Sequence, residues 1–256
     1  MILTIASKDF KAFFNSPLAW VLLCFIQLIE SFNFLKHLDE FLQLQPQFIQ
    51  MSNPPGATVW VAVPALTTTA ALFLFVVPLL AMRLIAEERA HHTLCLLTSA
   101  PIRLTDIVLG KFLALMGFLL IALALVALMP LSLFANTPLD YPFLACLLLG
   151  LALLAAAFSA LCLYASSLTK TPIIAAISSL GGLFLLLLFG DHLSERPNPD
   201  SLGWLSDLIQ VFSPVKNFEV LHQGLLDSYA VVCLLLMTIF FLILTIRTLE
   251  SQRLKG

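Results

Sequence analysis

The sequence predicts an all-α, polytopic membrane protein with six transmembrane helices, and three observations carry that prediction. Of 256 residues, 60% are apolar and only 11% are charged, whereas a soluble domain averages about 25% charged residues. Six apolar runs stand where a helix of about 20 residues would cross about 30 Å of hydrocarbon. None of these runs alternates polar and apolar residues as a barrel strand does, and in lipid a helix is the element that satisfies its own backbone groups. The composition excludes an ordinary water-soluble domain. A net charge of -2 gives no basic excess, so membrane lipid is expected around the chain and nucleic acid is not expected as a partner.

The elements follow in chain order. Leu3, Ala6, Phe10, Phe13 and Phe14 recur at helical spacing, with Thr4, Ser7, Lys8 and Lys11 between them. That is the pattern of an N-terminal helix lying in the membrane interface. Asn15, Ser16 and Pro17 end it, with Ser16 able to cap the next helix and Pro17 at its first position. The apolar runs place the spans at about 17–34, 60–82, 112–134, 143–164, 173–189 and 230–246, within a single transmembrane domain covering 1–256. Pro46 and then Pro54, Pro55 and Gly56 predict that 37–59 turns outside the bilayer, partly resting on its surface. Pro197, Pro199, Trp204, Leu205, Leu208, Ile209 and Phe212 predict a short amphipathic or re-entrant element between the last two spans.

Orientation follows from lysine and arginine, which are retained in cytoplasmic loops. Ten of the thirteen fall on one side of the six-span arrangement, together with both termini, so both termini are expected inside. Glu30 is the one carboxylate inside an apolar run, and two roles are open to it: facing outward near the outer end of the first span, or lining a pathway. Pro64, Pro78 and Pro130 are candidate kinks. Ala152, Ala156 and Ala160 repeat every four residues and make a small-residue helix contact. No pair of charged midplane groups of the kind ion-coupled carriers use is present.

Catalytic signatures are missing. The sequence holds no G-x-S-x-G, no H-E-x-x-H and no G-x-x-x-x-G-K-[ST], so neither common hydrolase chemistry nor an ATP phosphate cradle is expected, and no cofactor is expected on this chain. Five cysteines without a C-x-x-C pair indicate neither zinc nor a disulfide framework. Glu87 and Glu88 precede His91 and His92 by four residues, an ordinary surface pairing on a helix, with no further ligands to suggest a metal.

The informative stretch links the second and third spans. Arg83 and Glu87 stand four apart, which predicts that the second span continues into water as a charged helix carrying Glu87 and Glu88 in solvent. Leu94, Leu96 and Leu97 then add an apolar surface, Pro101 stops it, and Thr105 can cap the third helix. Charge and leucine together on a short projecting helix suit docking in a groove of another protein.

This stretch, "MRLIAEERAHHTLCLLTSAPIRLTDIVLGKF" at 82–112, together with "KDFKAFFNSPLAW" at 8–20, "SPVKNFEVLHQGLLD" at 213–227 and "LTIRTLESQRLK" at 244–255, resembles the membrane subunits of type-2 ABC transporters, in particular the gliding-motility-associated permease group. The resemblance implies a permease domain with an elbow helix at its N-terminus and a coupling helix after the second span. It assigns ATPase coupling to Arg83, Glu87, Glu88, Arg89, Thr93, Leu96 and Leu97. It further implies two copies of a separate ABC ATPase that binds the ATP, a second permease chain, identical or homologous, and an inner-membrane location. Where His92 and Cys95 stand, the family more often has Gly and Glu, so the docking surface departs from the pattern there. The function expected is that of the membrane-spanning subunit of an exporter or extractor. The alternative is an energy-coupling anchor of an envelope assembly or motility machine without net transport. The sequence names no substrate-binding residues.

Overall fold

A computed structural model describes residues 1–48, 56, 58–90, 103–132, 140–194, 213–222, 224 and 226–255. Every regular element among them is helical: α1 (Ile2–Asn15), α2 (Pro17–Phe48), α3 (Thr58–Ala90), α4 (Leu104–Ser132), α5 (Tyr141–Leu168), α6 (Pro172–Ser194), α7 (Pro214–His222) and α8 (Ser228–Lys255). Five of these, α2 to α5 and α8, are long and apolar enough to cross a membrane, and the apolar part of α6 is the shorter Pro172–Leu188. The chain is therefore a multi-pass membrane protein.

Helices extend beyond the apolar runs that announce them. The span expected at 112–134 belongs to a helix that begins at Leu104, so Thr105 lies within its first turn and Arg103 precedes it, accepting from the Asp106 and Ile107 amides. The span expected at 17–34 continues to Phe48, well into a segment expected to turn outside the bilayer. Hydrophobicity measures contact with lipid, whereas a helix continues until its backbone ladder meets a breaker. Between Phe34 and Pro46 α2 contains none, and even Pro46 falls within the helix.

The helix α5 is the axis of the bundle. Seventy-eight per cent of its most apolar window is buried, against 33% for α2, and it packs on α8, α3, α6, α4 and α7. Ala156 and Ala160 are buried and Ala152 is half-buried against the core, which confirms the small-residue face as a helix contact. At the far end, Gly150 lets α7 approach closely, since a Cβ there would stand 3.1 Å from Leu221 Cβ. Gly224, with φ +77, turns the chain from α7 toward α8 beneath the Phe143 ring.

The first helix is docked on protein. Phe13 is buried, Phe13 and Phe14 meet Phe118 at ring distances of 5.8 and 5.7 Å, and Phe10 lies over Gly117. Only Gly fits at position 110, where a Cβ would sit 2.9 Å from Ile5 Cβ and 3.1 Å from the Ile2 carbonyl oxygen. Trp20 Nε1 donates to the Phe14 carbonyl at 2.8 Å and fixes the joint between α1 and α2.

Glu30 does not face outward. It is fully buried and accepts a 2.8 Å hydrogen bond from the Thr69 hydroxyl of α3, while Asn33, nearly one turn on, donates to Thr68. The outward alternative fails because the α2 face carrying Glu30, Ile26, Leu23 and Phe34 is the buried one, whereas Val21, Phe25, Leu28, Phe32 and Leu35 lie on the exposed side.

Candidate functional site

The end of α3 is where the charged residues converge, and its backbone departs from α geometry there. Val63–Met82 is α-helical, Arg83–Glu87 is a π turn, and Glu88–Ala90 resumes the α form. A π turn holds an extra residue against the α ladder, offsetting all later side chains by about 100°. Three consecutive residues, Leu84, Ile85 and Ala86, are buried as a result. The Ala86 amide donates 3.1 Å to the Ser166 hydroxyl of α5.

Four side chains then reach out from this turn. Arg83 donates to the Ser16 hydroxyl at the joint of α1 and α2 and stands 4.0 Å from Glu87, the pair its spacing predicts. Glu88 lies 2.8 Å from Lys111 of α4, which also meets Asp9 of α1 at 3.2 Å. Lys8 approaches Glu88 from α1 at 3.8 Å. Arg89 donates 3.1 Å to the Thr169 carbonyl at the end of α5 and to Gln252 of α8, whose amide reaches back to the Ser167 carbonyl at 3.3 Å.

Lys111 is the centre of this cluster. It is 1% exposed, and a buried ammonium is tolerated only when opposing charge and hydrogen bonds replace its water. Asp9 and Glu88 supply both, from two other helices. The expectation that Glu88 stands in solvent beside Glu87 is thereby corrected: its side chain is 17% exposed against Lys111, while that of Glu87 is 43% exposed. The register of α3 is consistent with this, since Glu88 follows buried Val77 by eleven residues and Leu84 by four, on one face of the helix.

Residues 83–90 are thus tied by polar contacts to α1, the α1–α2 joint, α4, α5 and α8. Thr93, Leu96 and Leu97, and with them His91, His92 and Cys95, lie outside the described residues. Sequence reasoning missed Asp9, Ser16, Lys111, Ser166, Thr169 and Gln252 as partners. A lysine set inside the start of an apolar run was the available signal for Lys111, because a charge buried there requires an opposing partner. The others carry no distinguishing pattern. Among the described residues, no group of three or more His, Cys, Asp or Glu is placed to hold a metal ion.

A bundle of apolar helices with one charged, cross-linked end defines a multi-pass membrane protein. The family described as ABC-2 family transporter protein matches residues 3–254. The chain belongs to that family and is a type-2 ABC transporter permease, a membrane transport subunit of the kind that works with an ABC ATPase subunit. No curated protein sequence matches the chain individually.

Proposed function

We propose that this permease is the force-receiving membrane subunit of an ATP-driven exporter or extractor. Residues 83–101 dock in a groove of a separate ATPase, so that Arg83, Glu87, Glu88, Arg89, Thr93, Leu96 and Leu97 carry the coupling. The observation that supports this most is the polar linkage of residues 83–90 to α1, α4, α5 and α8. A push on the end of α3 is passed by short, charged contacts to four other helices, which is what conversion of a local displacement into a bundle movement requires. Within that role Glu87, half in solvent, meets the partner, and Glu88 and Arg89 transmit to the bundle.

The same reading makes the chain a single six-span domain with both termini in the cytoplasm and α1 as an elbow helix on the inner interface. Ten of thirteen basic residues on that side support this orientation. Two ATPase copies bind the ATP, and a second permease chain completes the complex in the inner membrane. The quoted motifs, more than the family match, favour the gliding-motility-associated group.

Co-purification with a co-expressed ABC ATPase tests the docking. Glu87→Lys should lose the ATPase or its stimulation, while the chain still inserts and folds, because a half-exposed surface change usually alters stability by less than about 0.5 kcal/mol. Retention of full assembly and full stimulated ATPase activity would refute the docking role. Single cysteines in a cysteine-free background test the topology: Gly56→Cys, Asp140→Cys and Leu226→Cys should react with an impermeant thiol reagent from outside, and Lys170→Cys should not. Labelling at position 170 in intact cells rules out the six-span arrangement.

A further inference from the structure

Toward the end of the bundle opposite the charged cluster, α3, α5, α6 and α7 line a half-open cavity of about 340 Å³, within the size range of small-molecule sites. Its walls are apolar: Ala70, Ala71 and Leu74 from α3, Leu154 and Phe158 from α5, Leu187 from α6, and Val215 and Phe218 from α7. Thr67 lines it too, but its hydroxyl is already committed to the Val63 carbonyl at 2.8 Å. From Thr67 to Leu74 the cavity follows α3 for about 10 Å, at 1.5 Å per residue. Among the described residues one charged group lines it, the exposed carboxylate of Glu219, with the half-buried His222 imidazole on the same helix.

A slot with an apolar wall and a single anionic group beside an imidazole is complementary to an amphiphile. The apolar lining offers nothing to a polar solute, and burying a hydrocarbon chain there is favourable by the ordinary hydrophobic term. Among the described residues no lysine or arginine lines the cavity, so an anionic head would meet the Glu219 carboxylate without compensation from them. An ammonium head meets complementary charge and can donate to both Glu219 and His222. Burial holds the imidazole below its usual pKa against the opposing pull of Glu219, which leaves a ring nitrogen free to accept.

We propose that this cavity binds the hydrocarbon chain of a cationic, amine-headed amphiphile, with the ammonium group held at Glu219 and His222. The binding stands on the cavity alone, and only its meaning as a cargo or regulatory site rests on the transporter reading. The ligand chemistry has two sources, an aminophospholipid of the membrane or a free long-chain amine.

The test uses the full chain in nanodiscs of phosphatidylcholine, without any ATPase, so that its failure is distinct from failure of the coupling reading. The probe is a long-chain alkyl amine bearing a diazirine on its chain, compared with the matching carboxylic acid. The amine should cross-link to the cavity walls, with Leu154, Phe158 and Phe218 as the expected sites. Glu219→Gln should weaken amine labelling roughly tenfold, the loss of one charge-assisted hydrogen bond, and leave the acid unaffected or improved. Ala71→Phe, at an exposed position of the lining, should fill the slot and abolish labelling while the thermal midpoint of unfolding is kept. Competition by phosphatidylethanolamine assigns the aminophospholipid, and labelling that survives that competitor assigns a free amine. Equal labelling by amine and acid, or labelling that Ala71→Phe leaves unchanged, overturns the proposal and gives the cavity to bulk lipid chains.

Discussion

Lys111 and Glu30 are both fully enclosed ionisable side chains on helices of one bundle, yet the bundle meets them differently. Lys111 is held by two carboxylates from two other helices, and Glu30 by one threonine hydroxyl from its neighbour α3. The first arrangement joins three helices through charge and is unforgiving of any missing member. The second joins two helices through one hydrogen bond that a neutral analogue can also make. Under the proposed coupling role the charged network stands where force would pass between helices, while a minimal polar contact joins α2 to α3.

The largest expected effect breaks the first arrangement. Lys111→Met leaves Asp9 and Glu88 with only the largely exposed Lys8 near them, at 4.0 and 3.8 Å, and should cost about 3–5 kcal/mol, the usual penalty for removing one member of a buried ion pair. A thermal unfolding midpoint in detergent should fall steeply, and the triple variant Lys111→Met with Asp9→Asn and Glu88→Gln should recover most of it. A triple variant as unstable as the single one would show that packing of the lysine stem, and not charge compensation, holds the three helices.

Next comes the contact beside it. Gly110→Ala forces a Cβ to 2.9 Å from Ile5 Cβ, so α1 must shift, at about 1–3 kcal/mol for an overpacked site. Gly181→Ala is the matched control, because nothing lies within 4 Å of a Cβ there, and it should be neutral or stabilise by up to about 1 kcal/mol through helix propensity. Equal midpoints for the two variants would mean that α1 is not tightly docked on α4.

Arg89→Lys keeps the charge but cannot span both the Thr169 carbonyl and Gln252 from one planar group. A loss of about 1–2 kcal/mol is expected, one or two net hydrogen bonds. If ATP-coupled activity falls further than stability does, the link from α3 to α5 and α8 serves transmission; a fall in stability alone assigns it to packing.

The smallest effect sharpens the other side of the comparison. Glu30→Gln retains an oxygen to accept from Thr69 and should change stability by less than about 1 kcal/mol. Thr69→Val, nearly isosteric, removes the donor and should cost more than Glu30→Gln does. The reverse order would show that the Glu30 carboxyl itself, beyond its bond to Thr69, is needed at that place.

The chain's amino-acid order by itself determined that it is helical, polytopic and apolar-solvated, because length, hydropathy and the missing strand alternation are properties of each segment alone. It also located the small-residue face of α5 and the Arg83–Glu87 pair, since both follow from spacing within one helix. Segment-wise reading failed where the partner lay on another helix. Glu88 shares a face with buried Val77 and Leu84, but its partner Lys111 stands on another helix. Asp9 and Lys111 are 102 positions apart, and Arg89 and Gln252 are 163 apart. Only the packing of α1, α3, α4, α5 and α8 around one end decides that these side chains meet, because burying a charge commits the fold to whichever opposing groups tertiary structure brings within about 3 Å.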